Sequence, residues 1–180
     1  SYYLSAGQDG LRHAWIVDNT GMTVAAGGDA LDAADITGAL GKMGKYAVDP
    51  ARLVIVTDAA TYLNGFLKLT NVVTVDKFGP NAVILTGQLA TYYGIPIIVS
   101  ASAPKTEADG KVSTTAGNNT LGQFTVFHRD MWYAGFRRNL IIETDRDIQK
   151  RMYVMVTSLR QAIGCYGTRS TQTHTSGAIN

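Results

Sequence analysis

An α+β fold is predicted by three features of the sequence: two helix-forming segments early in the chain, short β-branched runs around them, and a strand-rich block from Phe124 to Ile163. The composition supports a packed domain. Of the 180 residues, 46% are hydrophobic and 17% charged, which supplies apolar material for one core and excludes a disordered chain. No apolar run approaches the roughly 20 residues of a membrane-spanning helix, so no membrane partner is expected. The 16 Lys and Arg against 14 Asp and Glu leave a net charge of +2, too small for a dedicated nucleic-acid or anionic-membrane binder. One cysteine, Cys165, excludes an intramolecular disulfide framework and a multi-cysteine zinc site. The chain begins at Ser1 with no basic segment before an apolar stretch, hence no secretory signal, and the missing Met points to a processed or trimmed chain.

Residues 1–28 read as an extended lead-in, with a short strand at Trp15-Ile16-Val17 and a turn at Asp18 to Gly21. A helix follows from Ala33 to about Gly44. Asp32 is its N-cap, Asp35 completes a capping box, Leu31 is placed to staple against Ile36, and Ile36, Leu40 and Met43 form one apolar stripe. Leu53 to Val56 is a continuous apolar and mostly β-branched run typical of a buried strand. Thr57 or Asp58 caps a second, shorter helix reaching about Leu67, with Tyr62, Leu63, Phe66 and Leu67 on its apolar face.

Strands are expected at Val72 to Val75 and Val83 to Leu85, separated by a turn at Phe78 to Asn81, and again at Ile95 to Val99, where Pro96 favours an edge or a strand start. The polar stretch from Ala101 to Leu121 is expected to be a mobile loop. Strands follow at Phe124 to His128, Trp132 to Arg137, Leu140 to Thr144 and Arg151 to Leu159. In the last, Met152, Val154 and Val156 share one face, while Tyr153, Met155 and Leu159 share the other. A strand apolar on both faces must be covered on both. The tail from Tyr166 to Asn180 is rich in Thr, Ser and Gly and reads as a mobile end.

No catalytic, cofactor-binding or metal-ligating set emerges. His128-Arg129-Asp130 matches a kinase catalytic-loop triplet, but Gly135 stands where the metal-binding Asn is required. The glycines and lysines from Gly38 to Lys45 miss the spacing of a phosphate-binding loop and fall inside a helix. Glu143, Asp145 and Asp147 alternate with Arg146 and precede Lys150 and Arg151, a pattern of mutual ion pairing rather than of a cation site. His13, His128 and His174 lack ligand spacing, and Cys165 ends an apolar strand, the setting of an inert thiol. Between Arg129 and Arg169 eight basic residues meet four acidic ones, a bias suited to weak, non-specific contact with a polyanion or to inter-subunit ion pairs.

The order of blocks carries a resemblance. Asp29 to Ile36 leads through Lys45-Tyr46-Ala47-Val48-Asp49-Pro50 to Leu53–Val56 and the helix holding Tyr62 and Leu63. Thr74 to Gly79, Gly94 to Ser100, a variable polar loop, and a strand-rich block with Arg151 and Arg160 follow. From Asp29 to Ile163 this resembles the major capsid proteins of tailed bacteriophages, with the Hong Kong 97-type shell fold. The resemblance implies a central, axis-proximal domain over 29–121, with the mobile loop at 101–121, strands returning to a peripheral domain over 122–165, and a polar tail at 166–180. Because the family's N-terminal arm, extended loop and spine helix precede this material, it also implies a fragment of a longer subunit.

The implied function is that of a structural, non-enzymatic subunit that assembles with copies of itself into a virion capsid in the host cytoplasm, needs no cofactor, and touches packaged DNA without reading its sequence. A bacterial nanocompartment shell has the same fold. An α+β enzyme or ligand-binding domain with a dispersed site is the alternative of a different class.

Overall fold

The computed structural model describes residues 10–25, 30–69, 72–73, 88–147, 149–166 and 173–179. The strands β1 (Thr23–Ala25), β2 (Leu53–Thr57), β3 (Val72–Val73), β4 (Gln88–Tyr92), β5 (Ile95–Val99), β6 (Gln123–His128) and β9 (Thr175–Ile179) form a mixed seven-stranded sheet in the order β1-β9-β6-β2-β5-β4-β3. Among the described residues β7 (Trp132–Asp147) and β8 (Met152–Cys165) pair only with each other, as a long antiparallel hairpin. The helices are α1 (Leu11–His13), α2 (Ala33–Met43) and α3 (Ala59–Asn64). This is the expected α+β class.

α2 forms where local signals coincide. Asp32 accepts from the Asp35 backbone N–H at 3.0 Å, and Asp35 accepts in return from the Asp32 N–H at 3.1 Å. Ile36, Ala39 and Met43 are buried, with Leu31 in the same core cluster and Leu40 partly buried against it. The helix lies on the sheet face that carries Phe124, Val126 and Ala178, where Ser176 Oγ donates to the Ala39 carbonyl at 2.8 Å. α3 is capped by Asp58, whose carboxylate accepts from the N–H groups of Ala60 and Thr61. Of its expected apolar face, Tyr62 and Phe66 are buried, whereas Leu63 and Leu67 stay exposed. Phe66 meets Phe124 edge to face at 5.6 Å.

Several expectations are corrected. The segment Trp15-Ile16-Val17 is not a strand: α1 runs into a widened helical turn at Ala14–Asp18, which places the fully buried Trp15 on the other sheet face, its Nε1 donating to Thr125 Oγ1 at 3.0 Å. Tertiary packing of one indole overrides β propensity here. β5 is internal, between β2 and β4, so Pro96 marks a strand start and not an edge. Pairing with β2 begins only at Ile97, and no β2 partner requires a proline N–H. Trp132–Arg137 and Leu140–Thr144 are one strand, continuous through two register shifts around Arg138.

The tail is corrected as well. Thr175–Ile179 is not a mobile end but a buried strand, parallel to β1 and antiparallel to β6. The 101–121 segment is pinned where Thr106 and Leu121 exchange backbone hydrogen bonds at 2.9 and 3.0 Å, and Thr106 is fully buried. The expected turn at Phe78 to Asn81, the strand at Val83 to Leu85, and Thr74 and Val75 lie outside the described residues.

Candidate interaction surface

The hairpin leaves the sheet from a fixed root. Trp132, at its start, donates through Nε1 to Thr175 Oγ1 at 2.9 Å, and Tyr166, just past its end, donates its N–H to the Met131 carbonyl. His174 continues this network. Its Nε2 lies 2.9 Å from the Tyr166 carbonyl and must donate there, while its Nδ1 lies 3.3 Å from Thr175 Oγ1. Since that hydroxyl already accepts from Trp132, its own proton points to Nδ1, so the relay fits a neutral imidazole protonated on Nε2. Burial lowers the His174 pKa and His128 lowers it further, opposing the bond to Tyr166. Tyr46 stands edge-on to both histidines, with ring centroids 5.9 and 5.8 Å away. A groove of about 450 Å³ flanks the root, bounded by Val54, Ile98 and Phe127 of the sheet and by Trp132, Tyr133 and Ile163 of the hairpin.

Beyond the root, the hairpin is uncovered on both sides. Paired residues of an antiparallel ladder share a face, and successive residues alternate. One face therefore carries Ile141 opposite Ser158, Glu143 opposite Val156, and Asp145 opposite Val154, with Arg160 further toward the root. The other carries Ile142 opposite Thr157, Thr144 opposite Met155, and Arg146 opposite Tyr153. Exposure reaches 80% at Tyr153, 68% at Met155, 61% at Phe136 and 60% at Leu140, so large apolar side chains stand in solvent along the hairpin. The separation of Met152, Val154 and Val156 from Tyr153, Met155 and Leu159 agrees with the alternation of the sequence.

The residues considered for chemistry are dispersed among structural roles. Arg129 donates to the Ala51 carbonyl at 2.9 Å, and Asp130 pairs with Arg52 at 2.8 Å on the surface, leaving no catalytic-loop geometry around His128. Lys42 donates to the carbonyls of Gly21 and Thr23 at 2.9 and 2.6 Å, fastening the end of α2 to the strand before it. His13 pairs with Asp18 at 3.1 Å, while His128 and His174 meet around Tyr46, a proximity their separation in sequence concealed. Of the expected mutual pairing among Glu143, Asp145, Asp147, Arg146, Lys150 and Arg151, Arg146 forms no side-chain ion pair with Glu143 or Asp145 and lies instead over the Tyr153 ring at 5.9 Å; the Asp147 side chain lies outside the described residues. Cys165, the single cysteine of the chain, is partly buried. Among the described residues no group of three or more His, Cys, Asp or Glu is placed to hold a metal ion.

No protein-family model matches the chain, and no curated protein matches it. Solved structures do. A chain from Mycobacterium phage Che8 superposes with a TM-score of 0.53 at 19% identity, over 92% of this chain and 55% of that one. A chain from the mature capsid of bacteriophage PhiM1 gives 0.51 at 17% identity, over 87% and 50%. This chain thus spans about half the length of each. The likeness shows a shared fold, the one that the order of sequence blocks had suggested.

Proposed function

We propose that this chain is part of a structural subunit of a bacteriophage capsid, which works by assembling with copies of itself and carries no enzymatic activity. The observation that supports this best is the long hairpin, apolar on both faces and uncovered, on a fold shared with a chain of a phage capsid. A two-stranded ribbon gains little stability alone in water. Its burial therefore belongs to an assembly, which would enclose DNA through non-specific contacts in a virion formed in the host cytoplasm. In this reading the central domain is 29–121 together with the sheet strands β1, β6 and β9, and the hairpin, over 132–165, belongs to the peripheral part.

Sedimentation velocity over a concentration series tests this. The chain is expected to form small oligomers as concentration rises, and Val156→Glu to shift them back to monomer while leaving the far-ultraviolet spectrum unchanged. A chain that stays monomeric up to its solubility limit would contradict the proposal.

A further inference from the structure

The two faces of the hairpin differ in one respect that bears on how copies meet. On the face of Ile141 the charges are segregated: Glu143 and Asp145 lie toward the tip, Arg160 lies toward the root, and Ile141 with Ser158 stands between them. The opposite face carries Arg146 among Ile142, Tyr153 and Met155, without such a division. Val156, the cross-strand partner of Glu143, is two residues from Ser158 in one direction, and Arg160 is two residues away in the other. Glu143 and Arg160 of one copy are consequently about 13 Å apart along the strand, at roughly 3.3 Å per residue, too far to pair with each other. A two-fold axis at the level of Ser158 interchanges those levels between copies. A face whose pattern inverts about its own midpoint is the self-complementary surface that an isologous contact requires.

We infer that this face docks on the same face of a second copy, with strands antiparallel and the two-fold axis at Ile141 and Ser158, so that Glu143 of each copy meets Arg160 of the other. Ile141 then packs on its own symmetry mate at the centre, with Val156 beside it. Asp145 falls at the mouth of the groove that Gly135, Phe136, Arg137 and Arg160 line in the other copy. The ion pairs, lying outside the apolar centre, set register and partner more than affinity. This inference rests on the self-association proposed above and specifies its geometry.

Charge reversal in this full chain tests it, with dimerisation followed by sedimentation equilibrium. Glu143→Arg alone places Arg against Arg at both symmetry-related contacts, and Arg160→Glu alone places Glu against Glu. Each single variant is expected to raise the dimer dissociation constant about tenfold. An equimolar mixture of the two recreates two attractive contacts and should return to near the value of the unaltered chain, a recovery that a misfolded variant cannot give. If both variants dimerise as the unaltered chain does, or if mixing restores nothing, this docking geometry is wrong while self-association stands. If the unaltered chain never dimerises, self-association itself falls.

Discussion

The indole of Trp15 fills the space that a side chain at Gly177 would need: a Cβ built on Gly177 would stand 2.4 Å from Cζ2 and 2.6 Å from the Phe124 carbonyl oxygen. Neither neighbour is the free end of a flexible chain. Gly177→Ala is therefore expected to destabilise the fold by about 1–3 kcal/mol or more, the usual range for overpacking. Urea unfolding of both forms measures the difference; equal midpoints would show that Trp15 is not held as described.

α2 offers a contrast between a buried and an exposed position. Ile36→Ala is expected to cost about 2–5 kcal/mol, because the side chain is fully buried. A sequence reading makes Lys42→Ala almost neutral. Its two bonds to the carbonyls of Gly21 and Thr23 change that to roughly 0.5–1 kcal/mol after allowance for solvent exposure. Loss of less than this at Lys42 in chemical unfolding would show that those bonds do not persist.

His174 makes stability depend on pH with a definite sign. Its folded-state pKa is depressed, chiefly by burial, so the unfolded chain binds the proton more readily. Stability is thus complete above the ordinary value of 6.5 and declines as pH falls through that value toward the depressed one. A proton on Nδ1 would also evict the Thr175 hydroxyl proton from the relay at the hairpin root. His174→Gln should flatten this decline in unfolding experiments between about pH 7.5 and pH 5.5. An equally steep decline in the variant would assign the effect to another group.

Amide exchange should divide the 101–121 segment. Thr106 and Leu121 exchange backbone hydrogen bonds, and their amides are expected to be protected. Val112 and Thr114 lie on the exposed stretch between them and should exchange rapidly. Uniform fast exchange would show that the Thr106–Leu121 bridge is not maintained.

α2 was legible because its signals are local: a capping box, a staple and an apolar stripe fall within a dozen residues. β9 was not. Its Thr, Ser and Gly are small because the space around them is taken, with Gly177 against Trp15, Ser176 bonded to Ala39 and Thr175 to Trp132. Composition alone cannot distinguish such a strand from a solvated tail. The two apolar faces of the hairpin were readable from alternation, but the bulges around Arg138 broke the period and made one strand look like two. The meeting of His128 and His174 follows from strand neighbours 46 residues apart in the chain, which periodicity does not report.

The place of β9 between β1 and β6 has a kinetic consequence during synthesis. The ribosome delivers the whole hairpin before the strand that seals the sheet. Until β9 inserts, β1 has no strand neighbour, β6 lacks one, and Trp15 lacks the Gly177 backbone it packs on, while the tacky ribbon is already free in solution. Each nascent chain therefore passes through a state with unpaired strands and exposed apolar side chains, in which premature association competes with completion. Crowding of many copies on one messenger would favour the wrong outcome, and a chaperone that holds the ribbon until β9 arrives would favour the right one.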